Sequence, residues 1–300
     1  MAIDAEKSNS SKGNHTAEHR QARNPQKIIN AGVFWIERKN DNMDKPKLIF
    51  KYRALSSRED IDRFYDIIKY NRLYLPTIPQ VNDPFEGKID ATFAVMGQSM
   101  RMAMDIDFFA VSDRKEKTRL LSLSEDCFSP QLWAYYCNNY HGVCLCYKTD
   151  KTFSEIMPVQ YSDKIRSGEG VLEPTFKQIY ELIKDSLFVK QEGWMYEKEW
   201  RMVFQPVLKD EYDSNENDVD SFLSYDSEEL VGIIIGERLE DNMKEIIAKI
   251  TPDNVKLFET HTGARTGKVK IQEYGYQYDG SGAPADYISS VGELFDRINR

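Results

Sequence analysis

The sequence predicts an α+β fold: a single mixed, mostly antiparallel sheet domain with flanking helices and a disordered N-terminal tail. Three observations carry this. Short alternating or fully apolar runs recur as strands, capped amphipathic stretches fall between only some of them, and residues 1–27 show no hydrophobic period. Without strict strand–helix alternation, most neighbouring strands are expected to run antiparallel. Hydrophobic residues make up 41% of the 300, enough for a sizeable core. The formal charge of −9 argues against broad attraction to nucleic acid or to anionic membranes. No apolar run is long enough to span a bilayer and no charged-then-apolar leader opens the chain, so a cytoplasmic protein with no membrane partner is expected. Nothing in the sequence sets an oligomeric state.

Three regions follow from composition: a disordered tail (1–27), a main α+β domain (28–260), and a C-terminal strand–loop–helix extension (261–300) packed on it. The tail is polar and cannot bury enough apolar surface to offset the entropy of ordering; His15 and His19 in it read as a solvated face. Residues 28–35 are expected to form a short docking element. K-L-I-F-K-Y (47–52) reads as a strand ending in Arg53. Ser56 and Glu59 form a capping box that opens a helix over 58–70, with Ile61, Phe64, Tyr65 and Ile68 as its stripe. N-R-L-Y-L-P (71–76) is a strand closed by proline. N-D-P-F-E-G (82–87) is a structured turn that presents Asp83 or Glu86, since Asn and Asp before proline favour turn initiation. The Met-rich stretch 95–117 reads as a helix or lid.

Further on, R-L-L-S-L-S (119–124) alternates as a strand and puts Ser122 and Ser124 on one face. Ser129-Pro130 starts a short helix bearing Leu132, Trp133, Tyr135 and Tyr136. V-C-L-C-Y (143–147) is a core strand and P-V-Q-Y (158–161) a short one. A helix runs from Pro174 to about Lys190. An acidic loop (208–221), a buried strand (230–236), a helix (241–250), two late strands (255–260 and 269–278) and an amphipathic helix (287–298) complete the chain.

The richest stretch is K-Q-E-G-W-M-Y-E-K-E-W-R-M-V-F (190–204). Read as a strand from Tyr196, it puts Tyr196, Trp200, Met202 and Phe204 on one face. Glu197, Glu199 and Arg201 take the other, with the carboxylates roughly 6–7 Å apart. Two carboxylates and a guanidinium on one face form either a solvated ion-pair surface or a site that stabilises a developing cation. Cys137, His141, Cys144 and Cys146 are all legitimate zinc ligands, but their spacing is wrong for a finger. Cys144 and Cys146 share a face of an apolar strand, so buried structural cysteines are expected, with no metal. A Cys137–His141 nucleophile pair lacks a third orienting residue. G-A-R-T-G-K (263–268) is too short for a phosphate loop and reads as a hairpin loop.

Three blocks together resemble one family of bacterial domains of unknown function: R-L-Y-L-P-T-I-P-Q-V-N-D-P-F-E-G (72–87), L-S-L-S-E-D with L-W-A-Y-Y-C-N-N-Y-H-G-V-C-L-C-Y (121–147), and K-Q-E-G-W-M-Y-E-K-E-W-R (190–201). This resemblance covers about residues 48–236. It implies a mixed α+β domain of a cytoplasmic bacterial or phage-related protein, with relatives in phage-defence and abortive-infection settings. A looser resemblance is to the ADP-ribosyltransferase superfamily, one branch of which uses an arginine on the first strand, a serine on a middle strand and a glutamate, often E-x-E, on a later one. Here these are Arg53, Ser122 or Ser124, and Glu197-Lys198-Glu199.

The second resemblance implies that Arg53 holds the pyrophosphate of NAD, used as substrate. It further implies that Ser122 or Ser124 positions the carboxylate, that Glu199 (with Glu197) stabilises the oxocarbenium-like transition state, and that Tyr52 or Trp133 stacks on nicotinamide. The expected function is thus an NAD-using ADP-ribosyltransferase-like effector acting on a macromolecule. One alternative is a non-catalytic interaction or sensor module that binds a protein partner. The other is a Mg-dependent nuclease built on Asp83, Glu86, Glu197 and Glu199, with Asn82 beside them. The transferase demands convergence of Arg53, a serine and Glu199. The nuclease demands Asp83 and Glu86 beside Glu197. The module demands neither, only Glu199 paired to Arg201.

Overall fold

Alternation along the strands becomes a sheet that is apolar on both faces. The computed structural model describes residues 44–87, 89–91, 104–105, 116–163, 166–167, 181, 183–206, 219–262, 267–275 and 286–300. Eight strands form the main sheet: β1 (Leu48–Ala54), β2 (Arg119–Ser124), β3 (Gly142–Lys148), β4 (Met157–Pro158), β5 (Glu199–Phe204), β6 (Leu230–Ile235), β7 (Lys256–Thr262) and β8 (Val269–Glu273). Their order is β8-β7-β6-β3-β1-β2-β5-β4. Every neighbouring pair is antiparallel except β6 and β7, which run parallel and are linked through a helix. The fold is therefore α+β, a mixed and mostly antiparallel sheet with flanking helices.

Among the described residues, the helices traced end to end are α1 (Arg58–Tyr70), α2 (Pro130–Tyr136), α3 (Asp241–Ile250) and α4 (Val291–Ile298), which flank it. One face packs Ile49, Leu121, Leu145, Met202 and Ile233 against Phe64 and Ile67 of α1 and Ile247 of α3. The other packs Phe50, Cys144, Cys146, Ile234 and Phe258 against Trp133 of α2 and Leu294 of α4. Strands buried on both sides explain why the apolar runs at 143–147 and 230–235 are nearly continuous rather than alternating. The C-terminal segment contributes to this sheet: β8 is its edge strand, and Ile288 bridges to Ile271 just before α4. All four cysteines are buried with free thiols. Among the described residues no helix is long and apolar enough to cross a membrane.

Local details depart from expectation in instructive ways. α1 begins at Arg58, but its capping box sits one residue later than expected: Ser57 Oγ accepts from the Asp60 amide, and Asp60 accepts from the Ser57 amide. Ser56 instead accepts a hydrogen bond from Asn138. Residues 183–186 are helical and are followed by a two-residue strand, Val189–Lys190, so that helix ends before Lys190. The strand expected from Tyr196 begins only at Glu199. Glu192–Glu197 form a 3₁₀ turn, and Lys198 takes the left-handed conformation at φ 43°. Tyr196 therefore does not share a strand face with Trp200, and Glu197 does not share one with Glu199. Met104–Asp105 pairs as a short strand with Asp90–Ala91 rather than as a helix; the rest of 92–115 lies outside the described residues. The tail, the element at 28–35, most of the acidic loop and residues 263–266 lie outside them too.

The sheet has one discontinuity. β1 pairs with β3 at seven positions from Leu48 to Ala54, and β2 pairs with β5 at six. Between β1 and β2 only Phe50 and Ser124 pair. Beyond that pair the two strands part. The β1–β3 side is packed tightly by comparison: a Cβ added at Gly142 would stand 2.2 Å from the Arg53 carbonyl oxygen. Because that obstacle is backbone, Gly142→Ala is expected to destabilise the fold by about 3 kcal/mol, the upper end of overpacking costs. Gly193→Ala, whose Cβ meets nothing within 4 Å, is expected to stay within about 0.5 kcal/mol of wild type. Urea unfolding of the two variants checks both.

Candidate functional site

A cavity of about 530 Å³ opens where β1 and β2 part. Cα pairing puts Phe50, Ser124 and Glu199 on one face of the sheet, and with them Ser122, opposite Arg201. By the same alternation Lys51 and Arg53 belong to the other face. All of these residues line the cavity, because the gap admits both faces to one space.

The acidic wall is an ion-pair network around Arg201, which is 1% exposed. Its guanidinium donates Nε and Nη2 to the two oxygens of Glu199, the latter at 2.8 Å. It also donates to both oxygens of Glu86, with Nη2 at 2.9 Å, and to the Leu187 carbonyl. Lys190 Nζ donates to Glu197 at 2.6 Å and to Glu199 at 3.2 Å, and Tyr136 donates its hydroxyl to the other Glu197 oxygen. Burial pushes the Glu199 carboxyl up, but Arg201, Lys190 and the Ser122 hydroxyl outweigh it and hold the group at about 2. Glu86 moves the other way: its burial, reinforced by the charge of Glu199, exceeds the pull of the shared Arg201 and raises it. Arg201 and Lys190 favour the charge on both carboxylates, but only Glu199 also accepts from the Ser122 hydroxyl, and Glu86 bears the added repulsion of Glu199. Burial works against the charge on Lys190, yet Glu199 and Glu197 hold its ammonium above the ordinary range.

The opposite wall is cationic. Among the described residues Arg53 makes no side-chain hydrogen bond or ion pair, and its Nε is buried without a partner. Lys51 Nζ reaches across the gap to the Ser122 carbonyl at 2.7 Å. Burial, then the neighbouring Arg53, lower the Lys51 amine to about 7, against the opposing pull of Glu199 and Glu197. Arg63 is paired with Glu59 and lies over the ring of Tyr74.

Of the residues singled out from sequence, Tyr52, Arg53, Asn82, Asp83, Glu86, Ser122, Ser124, Glu197, Glu199 and Arg201 all line this cavity. Trp133 and His141 do not. Trp133 is fully buried, stacked on Tyr140 with its indole N–H on the Cys127 carbonyl, and His141 sits on an exposed loop bonded to Asn138. Tyr52 turns its ring edge toward Trp133 and spends its hydroxyl on the Asp126 carbonyl. Asp83 shapes its own turn by accepting from the Phe85 amide, which leaves Glu86 as the residue the turn presents. Ser124 donates to the Glu197 carbonyl and accepts from the Asp126 amide, so only Ser122 serves the carboxylate. Lys51, Lys190 and Tyr136 were not anticipated. A lysine between Phe50 and Tyr52 in an otherwise apolar strand was the available signal for the first.

The three geometric demands can now be compared. Arg53, Ser122 and Glu199 do share one cavity. Glu86 reaches Glu199 only through Arg201, and Lys190 stands between Glu197 and Glu199, so cationic side chains hold the places a divalent ion needs. Among the described residues no three Asp, Glu, His or Cys side chains group as metal ligands. The chain matches no family model, no curated protein and no solved structure.

Removing Arg201 would strand Glu86 and Glu199 as buried, uncompensated carboxylates. Arg201→Met is expected to cost about 3–5 kcal/mol in urea unfolding. The pH dependence follows from the depressed carboxyl. Glu199, held at about 2 against an ordinary 4.5, contributes stability that is present above pH 4.5 and lost as the pH falls towards 2. Glu86, displaced upward, acts above this window: its protonation adds stability as the pH falls towards 4.5 and changes nothing below it. Urea midpoints measured across this window should fall more steeply for wild type than for Glu199→Gln.

Proposed function

We propose that this protein is an NAD-using ADP-ribosyltransferase-like enzyme that modifies a macromolecular target. The observation that supports it best is the meeting of Arg53, Ser122 and Glu199, from three different strands, in one cavity at the gap in the sheet. A volume of about 530 Å³ suits a small-molecule site. Arg53, a guanidinium without a hydrogen-bond partner among the described residues, is disposed to grip a diphosphate through two parallel N–H donors. Glu199 stays ionised at neutral pH, so it works as a fixed negative charge rather than as a proton donor. That is the role a glycosidic cleavage needs: as nicotinamide leaves, the ribose carbon becomes cationic, and a preorganised carboxylate stabilises it more than it stabilises the ground state. Ser122 and Arg201 hold the carboxylate in place. The resemblance of the sequence blocks to bacterial domains found in phage defence supports a toxin or defence setting.

The experiment is NAD consumption and transfer of label from NAD to proteins of a cell lysate. Glu199→Gln is expected to lower turnover about 10²–10³-fold, the scale of removing one preorganised transition-state contact. Arg53→Gln should weaken NAD binding while leaving the melting temperature in place, since the Arg53 side chain bonds to none of the described residues. Ser122→Ala should cost activity. No NAD loss by folded wild type, alone and with lysate, would overturn the reading in favour of a binding module.

A further inference from the structure

Lys51 is the one lysine that lines the cavity on its cationic wall, and its surroundings differ from those of Lys190 on the other. Lys190 is held by two carboxylates at hydrogen-bond distance. Among the described residues Lys51 has no carboxylate at hydrogen-bond distance, and its one hydrogen bond is to the Ser122 carbonyl. Arg53 lies two residues along the same strand and Arg201 across the cavity. Both oppose a positive charge on Lys51, whereas Glu199 and Glu197 favour one, and burial together with Arg53 prevails. The amine is enclosed by protein yet partly accessible through the cavity. Desolvation and a neighbouring cation are the two conditions that keep a lysine amine unprotonated and nucleophilic.

We infer that Lys51 is a covalent site at which small carbonyl compounds bearing an anionic group are captured as an imine, with Arg53 holding the anion. The step balances without an outside oxidant or reductant. The Nζ lone pair attacks the carbonyl carbon, a proton passes from nitrogen to the carbonyl oxygen, water leaves, and a C=N bond replaces the C=O. Arg53 is suited to the anionic group because its guanidinium has no hydrogen-bond partner among the described residues and lies on the same wall. The fall of the amine to about 7 agrees with this and places a substantial unprotonated fraction at neutral pH. The inference does not rest on the NAD reading.

The test uses pyridoxal 5′-phosphate, an aldehyde with a phosphate, incubated with the full chain at pH 7 and trapped with borohydride. Peptide mapping is expected to find one adduct, at Lys51, formed at least about tenfold faster than at any surface lysine, whose amines are almost wholly protonated there. The labelling rate should reach half its plateau near pH 7, where surface amines keep rising towards pH 10. Lys51→Met should lose that adduct. Arg53→Gln should keep it but react equally with pyridoxal lacking the phosphate. Adducts spread over surface lysines with Lys51 unmodified, or a Lys51 rate that climbs with the surface amines, would overturn the proposal. So would an Arg53→Gln variant that still prefers the phosphate. Mapping and the pH profile on wild type decide the matter even if Lys51→Met does not fold, and neither depends on NAD turnover.

Discussion

The site is organised by the need to neutralise one buried guanidinium. Arg201 is 1% exposed on a strand whose residues are all buried, and a charge in that position is tolerated only when paired and fully hydrogen-bonded. Its partners come from three parts of the chain: Glu199 beside it, Glu86 from the turn after Asp83-Pro84, and the carbonyl of Leu187 past the helical residues 183–186. Meeting that one demand therefore ties the turn and the end of that helix to β5. A buried ion pair is weak ground for claiming net stability, but it is strong ground for a unique arrangement here, because any other register would leave a charge uncompensated.

The second constraint is the early end of the β1–β2 ladder. β1 is held along its full length by β3, so its other edge can part from β2 without the strand losing its place. Lys51 spans the gap through the Ser122 carbonyl. The consequence is electrostatic. In a continuous sheet, residues of opposite parity face opposite sides and stay apart. At this gap Lys51 and Arg53 from one side meet Glu199 and Ser122 from the other, which produces a cationic and an anionic wall facing one another. A substrate with a diphosphate at one end and a developing cation at the other matches that polarity.

Much of the framework was legible because it depends on local pattern. The alternation at 119–124, the capped periodicity at 58–70 and the periodicity at 241–250 each fix an element with little help from the rest of the chain. The double Cys144/Cys146 parity read correctly as core for the same reason: a thiol on an apolar strand is a small hydrophobe. What did not show was non-local. Period-two reading cannot see that Lys198 turns left-handed and ends the strand at Glu199, and it overextended the strand to Tyr196. Nor can it see where a ladder stops, so Lys51 looked like an ordinary strand lysine. Trp133 was a reasonable stacking candidate by type, yet packing α2 onto the sheet left it no exposed face.

The sequence offered two serines and two glutamates for what are single roles, and hydrogen bonding divides them. Ser124 donates to the Glu197 carbonyl at 2.7 Å, and the Glu125 amide donates to the Lys198 carbonyl at 3.1 Å, so the end of β2 anchors the turn that precedes β5. Glu197 anchors that turn from the other side by receiving Tyr136 and Lys190. The Glu199 amide donates to the Tyr161 hydroxyl at 2.7 Å, which fixes the first residue of the strand. Ser124 and Glu197 thus set the backbone from which Glu199 projects, while Ser122 addresses the Glu199 carboxylate itself. The S-x-S and E-x-E patterns are, in this fold, one pair that sets the backbone and one pair joined side chain to side chain. Spacing supplies both pairs, and only the turn at Lys198 tells them apart.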